Sequence, residues 1–188
     1  DFEVPAVCSM SADLHKYGYA AKGASTVLFR SAELYAHMPF DLKCWSGAPM
    51  KTPTLAGTRP GGAISAAWAV MNFLGVEGYK RLQGQVCETR ARMEEGVKAL
   101  GFEVLGQPML GLIAFRHPDH HAFAIYGEMY KRGWFTSATK EPPSLHLMLS
   151  PEHANHVDAY LEDLAASLKT VAEASAARPV EQAEVRYS

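Results

Sequence analysis

Ser11-Ala12-Asp13-Leu14-His15-Lys16-Tyr17-Gly18-Tyr19 is the stretch that decides how this chain folds. Small residues lead into His15 and Lys16, glycine and aromatics follow, and the apolar run Ser25-Thr26-Val27-Leu28-Phe29 comes next. Apolar runs on either side of a glycine-bearing stretch predict two strands with Lys16 in the turn between them. The strand entering the turn is expected over 4–10, short and buried, and the strand leaving it over 25–30. A lysine amine stripped of water gives up its proton more readily and can attack a carbonyl. The neighbours of Lys16 suit such a setting. They are small or aromatic, Asp13 and His15 lie within three residues, and Gly18 and Gly23 let the backbone pass close to a ligand. The expectation is a buried, ligand-facing lysine.

Reading outward, Ser31 to Tyr35 is a short helix and 39–53 is irregular, with prolines at both ends. Gly57-Thr58-Arg59-Pro60-Gly61-Gly62 is a loop that opens a helix over 63–74. That helix is apolar nearly all round, which predicts burial, with Trp68 and the helically spaced methionines in the core. Gly75 ends it. A longer amphipathic helix over 76–100 follows, with Gly101 as its C-cap. Strands are expected over 102–105, 110–116 and 145–150, with a helix over 122–132 and a short extra strand at 134–136. Ser150 as N-cap and Pro151 at the first helical position open a last helix that runs to near Ala174. The remainder, 176–188, reads as a frayed tail. The organisation is therefore the end of an α/β domain over 1–60, linking helices over 61–101, a small α+β domain over 102–175, and the tail.

Composition narrows the function classes. The chain has 188 residues, 48% hydrophobic and 20% charged, with a net charge of −2. With no dense Lys/Arg run, nucleic acid is not an expected partner. No apolar stretch is long enough for a membrane span, and Asp1-Phe2-Glu3-Val4-Pro5 lacks the basic and apolar regions of a signal peptide. The three cysteines, Cys8, Cys44 and Cys87, are widely spaced and lack metal or redox spacing, so free thiols in a reducing, cytoplasmic compartment are expected.

Other side chains carry two readings each. A Gly57-Thr58 pair before a helix start offers N–H groups and a hydroxyl to an anion, and Arg59 can meet a carboxylate or phosphate bidentately; an ordinary helix-start loop has the same look. Tyr17 and Tyr19 line a pocket, assist proton transfer, or pack. Lys22 meets an anionic substrate group or sits in solvent. His117, His120 and His121 flank Pro118 and Asp119 in an exposed turn, and with no fourth ligand suggested no metal is expected there. His146 reads as core packing, and His153 and His156 as the exposed face of the last helix.

SADLHKYGYAAKGASTVLF, followed about forty residues on by GTRPGG, resembles the pyridoxal-phosphate-dependent group II decarboxylase and lyase family, whose fold is that of aspartate aminotransferase (fold type I). Within it the chain is most similar to the lyases of sphingosine-1-phosphate-like substrates. The resemblance extends from Asp1 to near Lys169, with the C-terminal third matched only in pattern. It implies that Lys16 is the Schiff-base lysine for pyridoxal 5'-phosphate and that His15 lies near the cofactor phosphate. It further implies that Gly57 and Thr58 reach across a homodimer interface to the partner's cofactor, so that the two active sites are shared. The implied reaction is retro-aldol carbon–carbon cleavage of a phosphorylated amino alcohol, a small-molecule amine, giving an aldehyde and phosphoethanolamine. Amino-acid decarboxylation on the same scaffold is the alternative, and a non-catalytic interaction module is a third. The resemblance also implies that most of the cofactor site precedes the lysine: the acid for the pyridine nitrogen, the stacking ring and the phosphate loop. Asp13 takes a structural role at the turn instead. The chain is thus expected to be the C-terminal part of a longer enzyme.

Overall fold

Two short strands frame the Lys16 turn. In the computed structural model, which describes residues 1–176, β1 (Ser9–Ala12) pairs antiparallel with β2 (Thr26–Phe29), Ser9 opposite Phe29 and Ala12 opposite Thr26. The chain divides into two units, Asp1 to Gly78 and Tyr79 onward. In the first, Ser31 caps α1 (Ala32–Tyr35) by accepting from the Leu34 N–H at 3.3 Å. β3 (Phe40–Leu42) and β4 (Met50–Thr52) form a second antiparallel pair. The expected irregular stretch over 39–53 therefore contains a hairpin: its prolines lie outside the paired residues, where they remove no ladder bond.

α2 (Gly61–Ala99) is broken at Gly75, whose φ of 58° and ψ of −176° no helix contains. The break separates 61–74 from 76–99, where the sequence predicts it. The first segment is not the buried helix that its composition suggests. Within its unit the buried apolar cluster is only Ala20, Ala24 and Ala67, with Leu14 and Ala63 beside it. One narrow stripe of the segment therefore meets the core, while Trp68 is 68% and Phe73 89% exposed, and Ile64 and Met71 are exposed too. The strand before the turn also departs from expectation. It begins at Ser9, and residues 2–7 form turns that Arg30 gathers by donating to the carbonyls of Phe2, Val4 and Val7 at 2.6–2.9 Å.

The second unit holds the larger core. Its sheet has the order β5-β6-β8-β7, all antiparallel, formed by β5 (Glu103–Val104), β6 (Leu112–Arg116), β7 (Ser137–Lys140) and β8 (Pro143–Met148). α3 (Ala122–Lys131) packs on β7 and β8 and against α4 (Val157–Ala176). Val86, Met93 and Val97 from α2 are buried in this unit, as are Ile113, Phe115, Ile125, Met129, Leu145 and Leu164. Gly101 ends α2 with φ 86°, and the Phe102 N–H reaches back to the Val97 carbonyl at 3.0 Å, the expected cap. The extra strand lies three residues later than expected, because the Trp134 main-chain N–H is committed to the Met129 carbonyl at 3.0 Å, closing the end of α3, while its indole donates to Asp163 at 2.8 Å. The last helix is also divided. Ser150 and Pro151 open a 3-10 turn over Pro151–Asn155, in which Ser150 and His153 cap each other, and α4 starts at Val157. Of the expected tail, all but Ala176 lies outside the described residues.

Phe115 is fully buried, with its ring edge-on to Phe102 at 5.4 Å. Phe115→Ala is expected to cost about 3–5 kcal/mol, while Phe135→Ala, at a position 87% exposed, changes stability by less than about 0.5 kcal/mol. Denaturant unfolding of the two variants checks the contrast.

Candidate functional site

The Lys16 turn is wound by its own main chain. The Lys16 N–H donates to Asp13 O at 3.1 Å, the Tyr19 N–H to Lys16 O at 2.9 Å, and the Ala20 N–H to Leu14 O at 2.9 Å. Gly18 is required by this winding: a Cβ there would stand 2.8 Å from Leu14 Cα and closer still to its carbonyl oxygen. Tyr19 adopts a φ of 55°, a conformation few non-glycine residues take. Lys16 thus sits in a turn between two strands, as its sequence predicts.

Its environment differs from the expectation. Lys16 is not buried: its side chain is 59% exposed, and Nζ pairs with Asp13 Oδ2 at 2.8 Å. Asp13 Oδ1 accepts from the Ser25 hydroxyl at 2.7 Å, and Thr26 Oγ1 donates to Ala12 O at 3.0 Å. The hydrogen bond from Lys16 first, and that from Ser25 second, hold the Asp13 carboxyl below its ordinary value. Sequence reasoning missed the roles of Ser25 and Thr26. The available signal was two hydroxyl residues in a row at the start of a strand, opposite an aspartate.

His15 is half-buried, and its Nδ1 is enclosed without a hydrogen-bond partner among the described residues. Tyr17 and Tyr19 are half-buried and Lys22 is exposed. Gly57 has φ 65° and its N–H donates to Thr54 O at 3.3 Å, so the loop is a tight turn presenting Thr58 and Arg59 to solvent. Arg59 lines a cavity of about 400 Å³ together with Leu14, Ser25, Thr26, Ala67 and Trp68. The loop thereby borders a space that the Lys16 hairpin also borders. In the second unit a cleft of about 540 Å³ lies beside Arg116, His117 and His120. Burial, and then the neighbouring His120, push His117 down. Among the described residues no group of His, Cys, Asp and Glu is placed to hold a metal.

These donors fit pyridoxal phosphate in kind. Lys16 offers an accessible amine for its aldehyde, while the unpartnered His15 nitrogen, the Thr58 hydroxyl and the Arg59 guanidinium suit an anion. Asp13, committed to Lys16 and Ser25, is not available to a pyridine nitrogen. The fold class agrees: the structure has the fold of pyridoxal-phosphate enzymes of fold type I.

No family model matches the chain. The sphingosine-1-phosphate lyase of Arabidopsis thaliana is 39% identical over 172 residues, which are 91% of this chain and 32% of that protein. A probable L-tyrosine/L-aspartate decarboxylase of Methanothermobacter thermautotrophicus is 30% identical over 165 residues, 87% of this chain and 45% of that protein. The solved sphingosine-1-phosphate lyase of Burkholderia pseudomallei superposes with a TM-score of 0.87 at 32% identity, over 94% of this chain and 40% of that one. The chain is homologous to a C-terminal part of the pyridoxal-phosphate-dependent group II decarboxylases and lyases, and within them to the sphingosine-1-phosphate lyases. It spans about a third of the length of the curated lyase it matches at 39% identity.

The lowered Asp13 carboxyl has a definite acid signature. The pair's contribution is complete above the ordinary carboxyl value of 3.8 and is lost as pH falls through the depressed one. Carboxyl-carbon NMR is expected to show Asp13 titrating below 3.8, with Ser25→Ala moving the midpoint back up.

Proposed function

We propose that this chain is the lysine-bearing part of a pyridoxal-phosphate-dependent carbon–carbon lyase. The reaction is retro-aldol cleavage of a phosphorylated, sphingosine-1-phosphate-like amino alcohol to an aldehyde and phosphoethanolamine. The observation that carries this reading is the His15-Lys16 turn, bound by its own main chain between β1 and β2 and presenting an accessible amine, in a chain 39% identical to a lyase of that name over most of its length.

Pyridoxal phosphate, when bound, supplies an aldehyde for an amine and a ring that takes up the electron pair freed by bond cleavage. The chain's own residues do the rest of what can be assigned. Lys16 would hold the cofactor through its amine, at the place the substrate amine would take. His15, within the turn, would offer its enclosed ring nitrogen to the phosphate. Gly57 and Thr58, on an exposed loop, serve the cofactor of a second subunit in a homodimer with shared active sites. Tyr17, Tyr19, Lys22 and Arg59 are the candidates for substrate contact, with the two cations suited to its phosphate. The three free thiols support a reducing, cytoplasmic setting.

The reading is tested on the protein that carries these residues, supplied with pyridoxal phosphate and a phosphorylated long-chain amino alcohol. A fatty aldehyde and phosphoethanolamine are expected, and Lys16→Ala is expected to lower their formation by at least about a thousandfold, as for loss of a covalent catalyst. Carbon dioxide from an amino acid, without aldehyde, would replace the lyase with the decarboxylase, and neither product would leave the non-catalytic module.

A further inference from the structure

We infer that Asp13 is a positioning residue that restrains Lys16: gripped by Ser25, its carboxylate docks the lysine ammonium and slows reaction with aldehydes until the contact is broken. The inference rests on reading Lys16 as the aldehyde-bonding lysine and adds the residue that governs its readiness.

Each carboxylate oxygen has its own partner. Oδ2 meets Lys16 Nζ at 2.8 Å, and Oδ1 takes the Ser25 hydroxyl proton at 2.7 Å. The Lys16 N–H to Asp13 O bond at 3.1 Å closes the turn that brings the two side chains together. Ser25 Oγ also lies 3.4 Å from Ala12 O, and Thr26 Oγ1 bonds the same carbonyl at 3.0 Å. The carboxylate is therefore held by Ser25, beside the start of β2, while Thr26 fixes the Ala12 carbonyl just before it, rather than swinging freely as most surface carboxylates do. Three residues of spacing alone would give a weak, mobile pair. The serine makes the acceptor a fixed one.

The chemical consequence follows from proton and electron bookkeeping. An ammonium has no lone pair. Lys16 must leave Asp13 and lose one proton to water before its nitrogen can bond a carbonyl carbon, after which the carbonyl oxygen departs as water. A carboxylate held in place by Ser25 keeps the nitrogen at 2.8 Å and must release it first, so it opposes the first event. Because the Lys16 side chain is 59% and that of Asp13 35% exposed, solvent screens the pair, and the restraint amounts to about two- to fivefold in rate.

Reductive methylation tests this without any cofactor. The whole chain is treated with limiting formaldehyde and cyanoborohydride at one neutral pH, and peptide mass spectrometry follows Lys16 relative to Lys22, an exposed internal reference six residues on. Asp13→Asn is expected to raise the Lys16-to-Lys22 ratio about two- to fivefold. Ser25→Ala raises it less, and Asp13→Glu, which keeps the carboxylate, returns it toward the native ratio. An unchanged ratio in Asp13→Asn, with native circular dichroism, overturns the inference. Should that variant not fold, Ser25→Ala decides alone: a rise supports the restraint and no change overturns it. Failure of Lys16 to bond pyridoxal phosphate leaves this ratio untouched, so the two ideas fail separately.

Discussion

Position 18 admits no side chain. A Cβ there would collide with the Leu14 backbone, and this close approach is the constraint on which the lysine's placement depends. With Gly18 in place the chain folds back tightly enough for Ala20 to bond Leu14 and for Tyr19 to bond Lys16. β1 and β2 then meet in register, Ala12 opposite Thr26. That register brings Ser25 to the Asp13 carboxylate, and the carboxylate in turn receives Lys16. A glycine thereby sets where the Lys16 amine stands.

Much of this was legible in the chain itself. Glycine and small residues around His15-Lys16 predicted the turn, Gly75 the break in α2, Gly101 the cap, and Ser150-Pro151 the start of the last helical stretch. These are features in which one or two residues dictate local backbone geometry. The features that were not legible depend on partners elsewhere in the chain. The Trp134 main-chain N–H turns back to the Met129 carbonyl, which delays β7. Arg30 collects three distant carbonyls, which holds residues 2–7 out of β1. The apolar residues of 61–74 read as core, yet the stripe they bury is set by alanines at 20 and 24, and periodicity within a helix carries no information about the size of the surface it meets. Aromatic neighbours in sequence do not by themselves enclose a side chain: among the described residues Lys16 is 59% exposed and pairs with Asp13.

The two units differ in what holds them. Tyr79 onward contains a four-stranded sheet covered by helices, with large apolar side chains fully enclosed, and at about 25 cal/mol per Å² such burial is the main stabilising contribution. The unit bearing Lys16 relies on alanine-sized contacts, main-chain bonds and the Asp13 network, which together fix geometry more than they add stability. A pattern of this kind places chemistry on backbone that is locally over-determined, so the amine has a defined address even though the apolar core beneath it is small.

Lys16 is proposed here as the residue that bonds pyridoxal phosphate. The most direct measurement is borohydride reduction of the protein after incubation with pyridoxal phosphate, followed by digestion and mass spectrometry to locate the pyridoxyl group. One group is expected, on Lys16, and none in Lys16→Ala. A group on Lys22, or label spread over the exposed lysines with no preference for Lys16, would contradict it.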